Sequence, residues 1–345
     1  MAQQTVLQSI IKNAEEAIGS NQSNDYIIEP SGFAHHIEDD APQLATVLHH
    51  NALRETARRY ERHDQRARDE QAQFKRLSSQ ATWAVFAATI SAASVAIFTA
   101  NSKEVVDGGV QFIPLCLGII SLMGGAWAAL VLHRLSGGRI LERWMQARAA
   151  AETDRLGYFN RLVRLVSDQH PDEPQLQLLC LEFFRRYQFS IQQNYYEGRG
   201  VQHRNSFKTT VSIGSVAAFI LALGSGVTAI LGAFQAEILQ FAALGILGTA
   251  LATVASRREE LNQDERNSER YRRTADLLSH IRERHSEVQE AVAMGDTKVL
   301  QQYVAAVHEQ LSLEHRQWLS ETEEMDETIK ALSTSLKAIK QQQQE

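Results

Sequence analysis

Histidines are the residues of this chain whose type is best suited to catalysis or metal binding. Two adjacent pairs, His35–His36 and His49–His50, lack further ligands at the spacing that a metal site needs. His280 and His285 are five residues apart, so a helix does not bring them onto a common face. The two adjacent pairs are therefore interpreted as surface or helix-end residues, and no metal or cofactor site is predicted.

The motifs of known enzyme chemistry are also missing. The segment GSGVTAILG, which begins at Gly224, is rich in glycine, but it lies inside an apolar run and not between a strand and a helix. The sequence contains no P-loop, dinucleotide-binding fingerprint or nucleophile elbow. A net charge of −6 without a basic tail argues against nucleic acid as a partner. The sequence therefore predicts a protein that is not an enzyme.

Four uncharged apolar runs dominate the pattern of the chain. They lie at about 82–100, 111–132, 210–233 and 238–255, although the chain as a whole has a mean hydropathy of −0.28. A bilayer core of roughly 30 Å is crossed by about 20 helical residues, so each run is long enough to span it. The predicted fold is an all-α integral membrane protein with two transmembrane helical hairpins and long amphipathic cytoplasmic helices. The alternative is a set of buried helices in a large soluble core.

Basic residues at the ends of these runs predict their orientation. Lys75 and Arg76 precede the first run, Arg134 follows the second, Lys208 precedes the third and Arg258 follows the fourth. The two loops on the opposite side hold a single lysine. By the positive-inside rule, the protein is a multi-pass protein of the inner (cell) membrane with both termini in the cytoplasm.

The two hairpins align with each other at an offset of 124 residues. Arg134 then meets Arg258, and the segment Arg148, Ala151, Glu152 meets Arg272, Ala275, Asp276. Each hairpin returns to the side from which it started, so the copies are parallel repeats. The pairs Arg148–Glu152 and Arg272–Asp276 have the i,i+4 spacing that stabilises a helix. A contact between helices or between subunits is the alternative reading.

The repeat divides the chain into four predicted segments. An N-terminal amphipathic and irregular segment (1–45) precedes the first two-span repeat (46–170) and the second (174–320), and a short coiled-coil-like helix with a glutamine tail (321–345) follows. Helices are predicted over about 134–167 and 256–293, and one long helix over 174–207 leads into the third span. The coiled-coil seam consists of residues spaced 4-3-4-3, namely Met325, Ile329, Leu332, Leu336 and Ile339.

The four runs contain no ionisable side chain, which removes the usual markers of ion-coupled transport. Small residues recur at every fourth position, and such stripes allow helices to approach closely in a membrane. They are interpreted either as packing within the four-helix unit or as the contacts of an oligomer around a narrow pore. The residues are Ala84, Ala88, Ala92 and Ala96, Ser121 and Gly125, Gly214, Ala218, Ala222 and Gly226, and Gly245 and Thr249.

The segments next to the hairpins resemble a known family. ERWMQARAAAETDRLGYFNRL after the first hairpin, QLLCLEFFRRYQFSIQQNYYEGRGVQHR before the second, and EHRQWL near the end resemble SLATT domains. These are two-transmembrane effector domains associated with SMODS nucleotidyltransferases and SLOG sensors. The resemblance covers about residues 50–320 as two tandem copies.

The resemblance implies a prokaryotic membrane effector that forms pores or perturbs the bilayer when a nucleotide-based defence system is triggered. It implies the lipid bilayer and further copies of the chain as partners, and an activating nucleotide-signalling or sensor protein encoded separately. No cofactor is expected. The alternative is a membrane-anchored helical scaffold or signalling adaptor with no pore. A small-solute transporter is a third reading, against which the uncharged spans and parallel copies count.

Overall fold

The computed structural model describes residues 2–20, 27–101, 112–137, 139–233 and 239–342, and for some of them, such as 96–101, 239–243 and 321–342, the backbone alone. The described residues are helical and include no strand, which confirms the predicted all-α class. The first helices are α1 (Ala2–Ile18), α2 (Pro30–Ile37), α3 (Pro42–Leu48), α4 (Asn51–Asn101), α5 (Phe112–Gly137) and α6 (Ile140–Gln169). The others are α7 (Pro174–Phe184), α8 (Ser190–Ala233), α9 (Leu239–Asn262), α10 (Asp264–Glu283), α11 (His285–Ala293) and α12 (Thr297–Gln342).

The long helix that was predicted over 174–207 is present. A π-helical turn, Arg185–Phe189, joins α7 directly to α8, so the chain stays helical from Pro174 to Ala233. The single helix predicted over 256–293 is wrong, because it consists of the end of α9, α10 and α11. Gln263 has a φ of 47°, and a left-handed residue cannot continue a right-handed helix. Arg139, with a φ of 48°, separates α5 from α6 in the same way.

These breaks follow the offset of the sequence repeat. Arg139 and Gln263 are 124 residues apart and are the two described non-glycine residues with positive φ. The same offset carries the bounds of α6, Ile140–Gln169, onto the start of α10 at Asp264 and the end of α11 at Ala293. The helices α4, α7 and α12 begin at Asn51, Pro174 and Thr297, at a constant interval of 123 residues. Among the described residues, a helix at this interval therefore begins before each of the two hairpins and once more after the second, and a separate exit segment follows each hairpin.

The chain forms two compact units, and each repeat contributes to both. The first, here called the helical body, contains Met1–Asp69, Arg143–Val201 and Ser268–Thr322. The second, here called the hairpin unit, contains Glu70–Glu142, Gln202–Asn267 and Glu323–Glu345. The boundary between the two units thus cuts through long helices such as α4 and α8, whereas the predicted segments 46–170 and 174–320 separate one copy from the next. The predicted seam from Met325 to Ile339 lies outside the described side chains, although the α12 backbone is helical there.

An aromatic cluster forms the centre of the helical body. Phe159, Phe183 and Phe184 are fully buried and contact one another edge-on or tilted, with ring centroids 5.9 to 6.4 Å apart. The amphipathic helix predicted near the N-terminus is α1, whose apolar residues Ile11 and Ile18 are buried in this core. Burial of each such side chain contributes about 1.5–3 kcal/mol, so the body has a core of its own.

Two helices are long and apolar enough to cross a membrane, and not the predicted four. One includes α5 and the other is the helix from Pro174, and 11% and 17% of their apolar windows are buried. These buried shares are small, whereas the core helix of a soluble protein is mostly buried. The predicted first and fourth spans include 96–101 and 239–243, whose side chains lie outside the description. The described remainder of the fourth, Leu244–Ser256, is apolar but shorter.

Candidate functional site

The outer surface of the hairpin unit consists of large apolar side chains. Phe112 is 74% exposed on α5, and Phe219 is 65% exposed on α8. Soluble monomers rarely expose apolar surface of this extent. Further exposed members of this surface are Ile113, Leu122, Met123, Trp127, Val216 and Ile230.

Small residues join the two helices of the first hairpin. The Ser121 hydroxyl of α5 donates a hydrogen bond of 3.0 Å to the carbonyl of Ala88 on α4. A Cβ atom at Gly124 would lie 3.1 Å from the Ala84 carbonyl oxygen and 3.2 Å from the Ala88 Cβ atom. The structure therefore brings together three of the predicted residues, Ala84, Ala88 and Ser121. It also adds Gly124, which the sequence reading missed.

The other predicted residues of the first hairpin have different positions. A Cβ atom at Gly125 would meet nothing within 4 Å, so this glycine faces away from α4. Ala92 is exposed as well. Ala96 lies outside the described side chains. Gly125 and Ala92 are thus not needed for packing within the hairpin, and a contact with another copy stays a prediction for them.

The second hairpin is packed even more closely. A Cβ atom at Gly248 of α9 would lie 2.6 Å from the Leu221 nitrogen and 2.8 Å from the Ala217 oxygen of α8. A Cβ atom at Gly224 would clash with the backbone of Gly245. A Cβ atom at Gly214 would lie 4.0 Å from the Ala255 Cβ atom. Of the predicted residues, Gly214 and Gly245 therefore lie at this interface. The remaining four face away from it, namely Ala218, Ala222, Gly226 and Thr249.

Helix geometry explains which small residues the sequence reading missed. Four residues advance about 40° beyond a full turn, so a strict every-fourth stripe wraps around the helix. Contact with one straight neighbour instead requires a spacing of three and four in alternation, as Gly214, Ala217, Leu221 and Gly224 have. Gly124 and Gly248, the tightest points of α5 and α9, are again 124 residues apart.

The Arg148–Glu152 pair lies in a buried ion cluster of the helical body. One oxygen of the Glu152 carboxylate is 2.5 Å from Arg148, and the other pairs with Arg155. Arg148 also lies 3.7 Å from Asp64 of α4. Burial raises the pKa of Glu152, but Arg148 and Arg155 outweigh it, so the pKa is lowered overall. The carboxylate is therefore ionised at neutral pH, and its charge is shared between two guanidinium groups.

A second acid, Glu314 of α12, extends this cluster. It accepts a hydrogen bond of 2.9 Å from the Tyr196 hydroxyl and lies 3.3 Å from Arg270 of α10. Burial raises the pKa of Glu314, and Glu152 raises it further. Burial lowers the pKa of the adjacent His315, which keeps its ring neutral. The complete set, here called the five-helix cluster, is Asp64, Arg148, Glu152, Arg155, Tyr196, Arg270, Glu314 and His315.

The equivalent pair in the second copy lies in water. Arg272 and Asp276 are 3.8 Å apart, and their side chains are 58% and 62% exposed. The alanine between the two charged residues is buried in both copies, as Ala151 in the first and Ala275 in the second. The sequence repeat therefore identifies two equivalent positions, and the structure gives ionic packing to one of them alone.

Another buried acid was not found by the sequence reading. Glu182 of α7 is fully buried, and it accepts hydrogen bonds from Arg185 at 2.5 Å and Gln289 at 2.7 Å, with His285 Nε2 at 3.0 Å. Burial raises the pKa of Glu182, but the bonds to His285 and Arg185 lower it overall. His285, for which the sequence predicts no partner, thus pairs with a buried acid. His280 is exposed beside Glu283.

An open cleft of about 540 Å³ lies next to Glu182, lined by α1, the π-helical turn and α11. Its walls hold Glu15, Glu16, Arg185, Arg282, His285 and Gln289. The Glu15 carboxylate is held by Gln289 at 2.7 Å. Because both acidic and basic side chains line the cleft, it has no clear preference for a ligand of either charge.

Comparison with family models, curated proteins and solved structures finds no match to this chain. The function therefore has to be argued from the residues and their arrangement.

Proposed function

We propose that this protein is a four-span membrane effector whose copies assemble in the bilayer and change its permeability. One observation carries the proposal: in the hairpin unit, Gly124, Gly224 and Gly248 lie at the close helix contacts, while large apolar side chains such as Phe112 and Phe219 face outward. This arrangement would be unfavourable in water. In a bilayer, lipid solvates the large apolar side chains, and the close packing of small residues holds the helices together.

The proposed topology has two hairpins and cytoplasmic termini. The long helices α4 and α8 continue without a break from polar segments into the apolar ones, as helices that enter a bilayer do. The basic residues Arg76, Arg134, Lys208 and Arg258 flank the same side of all four apolar segments. Both features support four spans in the inner membrane, of which α5 and α8 are the most apolar.

Small residues that face away from the hairpin interfaces support assembly. Gly226 is open on α8, and Thr249 is exposed on α9 with its hydroxyl bonded to the Gly245 carbonyl. Such positions allow close approach of a second copy and would line a passage with uncharged groups. The SLATT resemblance adds the biological setting: a prokaryotic defence system in which a separate nucleotide-signalling or sensor protein triggers the effector.

The proposal is tested by reconstitution of the full chain into liposomes that contain a self-quenched dye. We expect dye release that rises more steeply than linearly with the protein-to-lipid ratio, because several copies must meet. A chain that inserts and oligomerises without release at any ratio would contradict the proposal. That result would favour the membrane-anchored adaptor, as would full function after replacement of the apolar segments by unrelated apolar helices.

A further inference from the structure

The five-helix cluster lies on helices that lead directly to the apolar segments. Asp64 is part of α4, which stays helical to Asn101, and Tyr196 is part of α8, which stays helical to Ala233. Glu152 belongs to α6 and Arg270 to α10, the helices that begin just after the breaks at the ends of α5 and α9. The cluster therefore joins the four helices that adjoin the spans.

The cluster adds charged contacts between these helices to the apolar core that they share. A buried ion pair adds little net stability compared with apolar side chains of similar volume, because both charges lose their hydration. It does impose a specific geometry, since loss of one partner leaves an uncompensated buried charge. The cluster thus favours one arrangement of the helices strongly over nearby ones.

The cluster is not fully satisfied in this arrangement. Arg155 Nε and His315 Nε2 are buried without a hydrogen-bond partner among the described residues. The raised pKa of Glu314 reflects burial next to a second acid, Glu152. Because these groups would regain water on separation of the helices, their hydration would offset part of the cost of opening the cluster.

We propose that the five-helix cluster is a latch that holds the helices next to the spans in the resting arrangement, and that its opening starts the change in permeability. This regulatory role rests on the proposed function. It requires that a variant with a weakened cluster release dye more readily than the natural protein at the same protein-to-lipid ratio.

The test compares Glu152→Gln with Asp276→Asn in the full chain. The first removes the buried charge shared by Arg148 and Arg155 without a change of shape, and the second makes the matched change at the exposed position. We expect Glu152→Gln to increase the rate of dye release roughly tenfold, as a modest shift of a two-state equilibrium does. Asp276→Asn should release dye at the natural rate.

Hydrogen exchange of α6 and α12 separates opening from unfolding. Glu152→Gln should exchange faster in both helices while its circular dichroism stays helical. If this variant does not fold, Glu314→Gln takes its place, because it removes the acid that pairs with Arg270 and Tyr196 without a change of shape. Faster exchange with an unchanged release rate would overturn the latch and leave the proposed function intact. No release from the natural protein or any variant would overturn both.

Discussion

The helices α6 and α10 begin at equivalent points of the two repeats, yet their surroundings differ. Helix α6 packs against α4 through Arg59 and His63, which bind Asp154 at 3.1 and 2.8 Å, and against α12 through Trp144 and Trp318. Helix α10 contacts α8 at Gly200 and α12 at Glu314, and the side that holds Arg272 is exposed. The first exit helix is therefore central, and the second is peripheral.

A repeated motif therefore fixes helical spacing and not burial. Arg and an acid at i,i+4 are compatible with water as well as with a buried cluster. Ala151 and Ala275 are the feature that both copies need, since each lies where a neighbouring helix approaches. The ionic role of Glu152 arose because α4 and α12 supply partners for it, whereas Asp276 has no such neighbours on its exposed side.

The largest expected difference between the copies is in stability. Glu152→Ala should lower the free energy of unfolding by about 3 kcal/mol, because the mostly buried Arg155 and the partly exposed Arg148 lose their shared partner. Asp276→Ala should change it by less than about 1 kcal/mol, as for an exposed pair. Chemical denaturation in detergent, followed by circular dichroism, measures both values. Equal losses at the two positions would mean that the second pair is buried in an assembly.

A second comparison concerns the long helices α7 and α12, in which Phe184 and His308 are equivalent at the offset of 124 residues. Burial lowers the pKa of His308 from 6.5 to about 4. The unfolded chain therefore binds a proton below pH 6.5 that the folded chain does not, and stability falls as pH drops from 6.5 to about 4. His308→Phe should remove about 3 kcal/mol of this loss. Denaturation at pH 7 and pH 4.5 tests it, and an unchanged pH slope would contradict the burial of a neutral ring.

The two copies should agree at the alanine between the charges. Ala151→Leu and Ala275→Leu should each destabilise the protein by about 1–3 kcal/mol, because a larger side chain has to displace a packed neighbour. The exposed residue Ala92 provides the control, and Ala92→Leu should have little effect on stability in detergent. If Ala275→Leu were also neutral, the second exit helix would be detached in solution.

The smallest expected effect distinguishes the two hairpins. Gly248→Ala should destabilise the second hairpin by about 1 kcal/mol or more, because its Cβ atom would lie 2.6 Å from backbone. Gly124→Ala, with its nearest contact at 3.1 Å, should be milder. Gly226→Ala is the open control, and it should be neutral or slightly stabilising through helix propensity. Unfolding of the three variants by sodium dodecyl sulfate in mixed micelles measures their relative stabilities.

Much of the fold could be predicted from the sequence because it depends on local pattern. The amphipathic spacing of Ile11 and Ile18 predicts α1, and the uncharged runs predict helices over α5 and α8. The left-handed residues Arg139 and Gln263 could not be predicted, because neither is a glycine. The break between α9 and α10 within 256–293 was missed for that reason.

The candidate sites were predictable in part. Small residues in the apolar runs indicated close packing, yet the choice of Gly124 over Gly125 depends on how α4 and α5 face each other. Glu182 was missed because a single glutamate in a polar helix has no local sign of burial, and its partners His285 and Gln289 are more than 100 residues away.

The sequence by itself therefore determined the helical class, the apolar runs and the 124-residue repeat, since these depend on residue type and spacing along one chain. Tertiary structure alone decided that Glu152 is buried while Asp276 is exposed. The physical reason is that the burial of a charge depends on which helices pack around it. Here α4, α8 and α12 surround the first exit helix, and the second has neighbours on one side.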